Sequence, residues 1–130
     1  MRTNIAIIAS FIILSSVAFG GPLDGTWINT DAATRSIPKI EITSTQFVWW
    51  GKTHPENSRY GPLTLTLLGD SVGDPAPDKY GFATQDSGFA NEFFFVKLSG
   101  SQLVVETLTV FKDGSKRANY HQTLTFAKQR

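Results

Sequence analysis

The chain has no cysteine. No disulfide can staple it, and no thiolate can bind a metal or act as a nucleophile, so its stability has to come from core packing and sheet closure. It has no excess of either charge. Twelve basic residues stand against 11 acidic ones, and Arg2 is the one charged residue of the first 20, so the rest of the chain is formally neutral. Nucleic-acid recognition needs a basic footprint and membrane-surface binding a polybasic one; both are missing. No stretch keeps an apolar 3.6-residue period long enough for a helix. There is no internal repeat and no low-complexity tail. No Gly-x-Ser-x-Gly elbow and no phosphate-binding glycine loop occurs. No cofactor is expected.

What is there begins with an apolar run. Arg2 followed by Ile5 to Leu14 and the small-residue segment Ser15 to Gly20 reads as a secretory signal over residues 1–20. Cleavage after Gly20 fits through Ala18 and Gly20; cleavage after Ala18 fits through Ser16. The run is short for a bilayer span, which takes roughly 20 apolar residues. The expectation is a secreted or periplasmic protein, off the membrane once the signal is removed, with residues 21–130 as a single domain.

Beyond the signal, Pro and Gly recur and β-branched and aromatic residues fill the gaps. Strands are expected over 25–29, 37–43, 46–51, 61–68, 79–84, 91–98, 102–112 and 117–127. Several alternate with period two: Ile40 and Ile42 against Lys39 and Glu41, Leu63, Leu65 and Leu67 against Thr64 and Thr66, Leu124 and Phe126 against Thr123 and Thr125. Asp113-Gly114 is a type I′ hairpin signal and Ser99-Gly100-Ser101 a second compact turn. The fold class is therefore all-β, an eight-stranded antiparallel up-and-down β-barrel. Two longer connections, 52–60 and 69–78, are its rim loops. Phe47-Val48-Trp49-Trp50 and Phe93-Phe94-Phe95-Val96 are apolar on both faces. Either other segments cover the outer rings or two subunits meet there, making a homo-oligomer.

At Leu23-Asp24-Gly25-Thr26-Trp27-Ile28-Asn29 the chain resembles the calycin barrels, the lipocalins and avidins. That resemblance implies that Trp27 closes the barrel base. In several lipocalins an Arg packs over this Trp by a cation–π contact; Arg35 and Arg117 are the candidates here. Asn29 matches an avidin ligand-wall position, but avidins enclose biotin with tryptophans from later strands. Trp27, Trp49 and Trp50 all lie in the first 50 residues, so biotin binding does not carry over. A resemblance covering more of the chain is to a group of small exported bacterial proteins with Gly-x-Trp-x-Asn, Thr-Arg-x-Ile and Trp-Gly-Lys-Cys-His-Pro motifs. Here these stand as Gly25 to Asn29, Thr34 to Ile37 and Trp50-Gly51-Lys52-Thr53-His54-Pro55, followed by Ser58 and Tyr60-Gly61. Thr53 and Ser58 occupy that group's two cysteine positions. The resemblance implies that Pro55 and hydrogen bonds hold this loop instead of a disulfide.

Candidate ligand-binding or interaction residues are Asn29, Trp50, His54, Glu56, Arg59 and Tyr60. No catalytic set is expected. A two-histidine metal site would need both His54 and His121, and Asp70, Asp74 and Asp78 lack the spacing of a calcium loop, so no metal is expected. Three functions fit. The first is an exported non-catalytic binding barrel for a small apolar or amphipathic molecule. The second is a protein-interaction or peptidase-inhibitor module acting through loops 52–60 and 69–78. The third is a small enzyme using His54 and Glu56.

Overall fold

Runs of alternating apolar residues cut by Gly, Pro, Asp and Ser give nine antiparallel strands: β1 (Gly25–Asn29), β2 (Lys39–Thr43), β3 (Gln46–Gly51), β4 (Ser58–Thr64), β5 (Thr66–Leu68), β6 (Tyr80–Asp86), β7 (Ala90–Ser99), β8 (Gln102–Phe111) and β9 (Tyr120–Lys128). The computed structural model describes residues 21–130; the signal expected over residues 1–20 lies outside the described residues. No helix occurs among the described residues.

The strands form one sheet in the order β4-β3-β2-β1-β9-β8-β7-β6-β5. Its two edges, β4 and β5, are consecutive in the chain. The sheet therefore curls into a nearly closed barrel, compatible with a calycin-like fold. The count is nine and not the expected eight, because the segment drawn at 61–68 is divided at Leu65. Up to Thr64 the chain pairs with β3 (Thr64 opposite Gln46). The Leu65 N–H then donates to the Thr45 carbonyl (2.7 Å). From Thr66 the partner is β6 (Thr66 opposite Phe82). One strand thus hands its hydrogen bonds from one side of the sheet to the other, and what would have been two exposed edges meet.

The inward face carries Trp27, Ile40, Ile42, Phe47, Trp49, Leu65, Phe94, Val96, Leu103, Val105 and Phe126, all buried. Leu63 and Leu67 pack against this cluster from the strand faces that alternation assigned them. Trp27 is buried in this cluster, 2 % exposed. Its indole N–H donates to the carbonyl of buried Leu23 (3.0 Å), which spares the core an unpaired donor costing about 1–3 kcal/mol. Gly81 sits on β6 beside the point of closure. A Cβ there would lie 2.7 Å from Leu65 Cδ1 and 2.9 Å from Val96 Cγ2. Glycine is required at that site by close approach.

The hairpin turn at Gly100 is tight, with Ser99 opposite Gln102 and φ of 63° at Gly100. Asp113-Gly114 is not the expected type I′ hairpin. That turn needs positive φ at both central residues, and Ser44 is the one non-glycine residue with positive φ among those described. Residues 112–119 form a wider loop instead. Asp113 accepts the Ser115 N–H (3.0 Å) and the Asn119 side chain accepts the Phe111 N–H (2.8 Å). These side-chain acceptors replace the backbone pairing a tight hairpin would supply.

Gly81→Ala is expected to cost about 1–3 kcal/mol in urea unfolding, the usual range for overpacking. In a Leu65→Ala background the same substitution should cost measurably less. An equal cost in both backgrounds would show that the Leu65–Gly81 contact does not govern closure.

Candidate functional site

The inward-facing rows of β7, β8 and β9 run from apolar at the Trp27 end to polar at the other. On β7 the inward residues are Leu98, Val96, Phe94 and then Glu92. On β8 they are Leu103, Val105, Thr107 and Thr109, and on β9 Phe126, Leu124, Gln122 and Tyr120. The apolar half is packed solid. Phe47 and Phe94 meet with ring centroids 5.2 Å apart, and Trp49 and Phe94 at 5.4 Å. Above them a cavity of about 210 Å³ opens, walled by Trp49, Tyr60, Glu92, Phe94, Thr107, Thr109, Tyr120 and Gln122, with Arg35, Ser36, Lys52 and Thr53 at its mouth. It is a shallow polar cup on an aromatic floor.

Tyr60 reaches the cup because β4 is bulged. Tyr60 lies opposite Trp49 and Leu63 opposite Phe47, so Gly61 and Pro62 together face Val48. Strict alternation from Leu63 would turn Tyr60 outward; the extra residue turns it in. Gly61 takes φ of 102°, and a Cβ there would sit 2.8 Å from the Phe47 carbonyl oxygen. Tyr60 then stacks on Trp49 (centroids 4.2 Å, 19°), a contact contributing about 0.5–1.5 kcal/mol beyond its burial. The Trp49 indole N–H donates to the Gln85 side chain (2.9 Å). That bond ties β3 to β6 across the interval that β4 and β6 leave unpaired.

Three hydrogen bonds position the mouth. Ser36 Oγ donates to Gln122 Oε1 (2.8 Å), fixing loop 30–38 over β9. Asn29 Nδ2 donates to the Ile37 carbonyl (2.9 Å) while its Oδ1 accepts the Asp31 N–H (2.8 Å). Asn29 is buried and spans this loop; it does not line the cup.

The remaining candidates scatter. Trp50 faces outward, with Lys39 Nζ 4.4 Å and Arg59 5.8 Å from its ring. His54 and Glu56 are exposed on loop 52–57, with no hydrogen bond between them among the described residues. His54 lies on a neighbouring depression with Ala32, Ala33 and Thr34. The cation over Trp27 is Lys128 (Nζ 5.7 Å from the ring). Arg35 stands at the cup mouth, and Arg117 covers Phe111 (4.2 Å) while pairing with Asp113 (2.7 Å). The two expected rim loops sit at opposite ends of the barrel, since β3 to β4 is one connection and β5 to β6 the next. In loop 69–79, Asp70 pairs with Lys79 and accepts the Tyr80 hydroxyl (2.9 Å), and Asp74 accepts the Asp70 and Ala76 N–H groups. These carboxylates hold their own loop. Outside the barrel, Phe93 and Phe95 stack on Phe82 and Tyr80 as an outer aromatic band.

Glu92 was not among the residues singled out by sequence, although it has the parity of Phe94 and Val96. Burial pushes its carboxyl above the usual carboxylate range, and the Ser87 hydroxyl opposes this. That hydroxyl donates to the Ala90 carbonyl (3.1 Å), so burial dominates. Thr53 and Ser58 also meet: their hydroxyl oxygens are 2.9 Å apart, and Thr53 Oγ1 donates to the Glu56 carbonyl. Polar contacts therefore close loop 52–57.

Two outcomes follow. With a raised carboxyl, the folded chain binds more protons than the unfolded one between the ordinary and the raised value, so stability falls as pH climbs through that interval. Glu92→Gln removes the loss. Its melting temperature relative to the parent should rise by roughly 1–2 °C between pH 4 and pH 7, since solvent screening leaves a fraction of a kcal/mol. A pH-independent difference would contradict this. Thr53→Cys with Ser58→Cys should form a disulfide on oxidation and add about 1–2 kcal/mol over the reduced form, short of the loop-entropy value because engineered bridges usually fall short.

Comparison of the chain with family models, with curated proteins and with solved structures finds no significant match in any of the three, so the barrel and its polar cup are the basis for assigning a function.

Proposed function

We propose that the protein is an exported, non-catalytic binding barrel of calycin-like type that takes a small polar or amphipathic molecule in the cup at its open end. The reversal of character along the inward rows of β7, β8 and β9 supports this most directly. A barrel built for stability alone would continue Val105 and Phe94 upward with more apolar residues. Here Thr107, Thr109, Gln122 and Glu92 follow instead, lining a cavity that their own side chains leave open. Thr107 and Thr109 are nearly inaccessible to bulk solvent, yet carry hydroxyls into the wall. Convergent polar groups above an aromatic floor are the composition of a ligand site. Phe47, Phe94 and Phe126 fill the apolar half, so the ligand sits above them. Its apolar part rests on the Trp49–Tyr60 stack.

A panel of neutral, cationic, anionic and zwitterionic small molecules, titrated while backbone amide NMR shifts are recorded, tests this reading. Binders should move the signals of Trp49, Tyr60, Glu92, Thr107, Thr109 and Gln122. Thr107→Val with Gln122→Leu should weaken them at least tenfold without unfolding the barrel. Shifts confined to the outer faces, or none across the panel, would remove the cup as the site.

A further inference from the structure

We propose that the cup selects a small zwitterion, an amino-acid-sized molecule whose ammonium group pairs with Glu92 and whose carboxylate pairs with Arg35 and Lys52. This rests on the cup being the ligand site and adds the chemical class.

Glu92 is the one carboxylate lining the cavity, and it joins no ion pair among the described residues. A half-buried carboxylate with a hydroxyl but no cation beside it is incompletely compensated, and a ligand ammonium offers the charge-assisted hydrogen bonds that a neutral hydroxyl does not. The aromatic faces of Tyr60 and Trp49 beside it also favour a cation. The mouth has the opposite sign. Arg35 and Lys52 are exposed there and likewise join no ion pair among the described residues. Their donors suit a carboxylate, the guanidinium in bidentate fashion.

The two signs lie on opposite walls. Arg35 is on the loop leading into β2 and Glu92 is on β7. In the strand order β2 and β7 are four steps apart through β1, β9 and β8. Going the other way, through β3, the joined β4 and β5, and β6, they are again four steps apart. A field therefore runs across the cup and orients a molecule carrying both charges. A simple amine has to pass two cations at the mouth. A simple carboxylate meets Glu92 inside. The cavity of about 210 Å³ lies below the range of roughly 300–1,000 Å³ for drug-sized ligands, so it limits the guest to a molecule of single amino-acid size.

Isothermal titration of the full barrel with leucine, isopentylamine and 4-methylpentanoate separates the charges on one carbon skeleton. Leucine should bind at least tenfold more tightly than either single-charge analogue. Glu92→Gln should lower the affinity for leucine and the amine at least tenfold and leave that for the carboxylate unchanged or improved. Arg35→Gln with Lys52→Gln should weaken leucine and the carboxylate and spare the amine, with every variant keeping one cooperative melting transition. The carboxylate binding as tightly as leucine, or leucine binding unaltered by Glu92→Gln, overturns the zwitterion assignment. If the carboxylate then moves the Tyr60 and Trp49 amide signals, the cup survives as a site for another ligand class. If none of the three binds, the assignment falls, and the uncharged members of the wider panel decide the cup itself.

Discussion

Everything in this barrel depends on the exchange of partners at Leu65. A meander of separate strands has two free edges, and each free edge offers unpaired N–H and C=O groups to solvent or to other chains. Here one stretch of chain supplies both edges. β4 pairs with β3, Leu65 bonds to the turn at Thr45, and β5 pairs with β6. The Leu65 side chain turns inward at the crossing and is buried, and Gly81 gives it room. Closure is thus a packing event as much as a hydrogen-bonding one. It also replaces the covalent staples that a small cysteine-free domain lacks.

Closure also places the cup. The hand-over occurs toward the Trp27 end, so the barrel is sealed there and less tightly sewn higher up, where β4 and β6 diverge. Side chains span that interval: Tyr60 stacks on Trp49, and Trp49 reaches Gln85. These same residues wall or adjoin the cavity. The weakest part of the sheet and the candidate binding surface therefore coincide. Binding regions are commonly drawn from the less stable part of a fold.

Much of the architecture was legible in the residues. The parity of Leu63, Leu65 and Leu67 and of Leu124 and Phe126 reported the inner face, and Gly25-Thr26-Trp27 marked the base. Two features were not legible for physical reasons. Alternation cannot see a bulge, so nothing in the spacing of Tyr60 and Leu63 says that both point inward; only the Gly61-Pro62 pair hints at it. Nor does a strand pattern say where one strand changes partners, so a single run at 61–68 concealed two. The site suffered from a different bias. His54, Glu56 and Arg59 drew attention because they crowd one loop, whereas Glu92, Thr107, Thr109 and Gln122 lie far apart in sequence. Carrying the parity of Phe94, Val105 and Leu124 two residues onward would have gathered them in one place.

The neutrality of the chain acquires meaning at the mouth of the cup. Three ion pairs among the described residues are local. Lys79 answers Asp70, Lys112 answers Asp86, and Arg117 answers Asp113, all exposed pairs that solvent screens. Such pairs shape loops without making a long-range field. Arg35, Lys52 and Glu92 are different, because they face one enclosed volume and are not matched to one another. In water their separation would count for little. Between low-dielectric walls built from Trp49, Tyr60 and Phe94 the same charges interact more strongly. A barrel with no net charge can therefore still discriminate by charge where unmatched groups of both signs line the same small space.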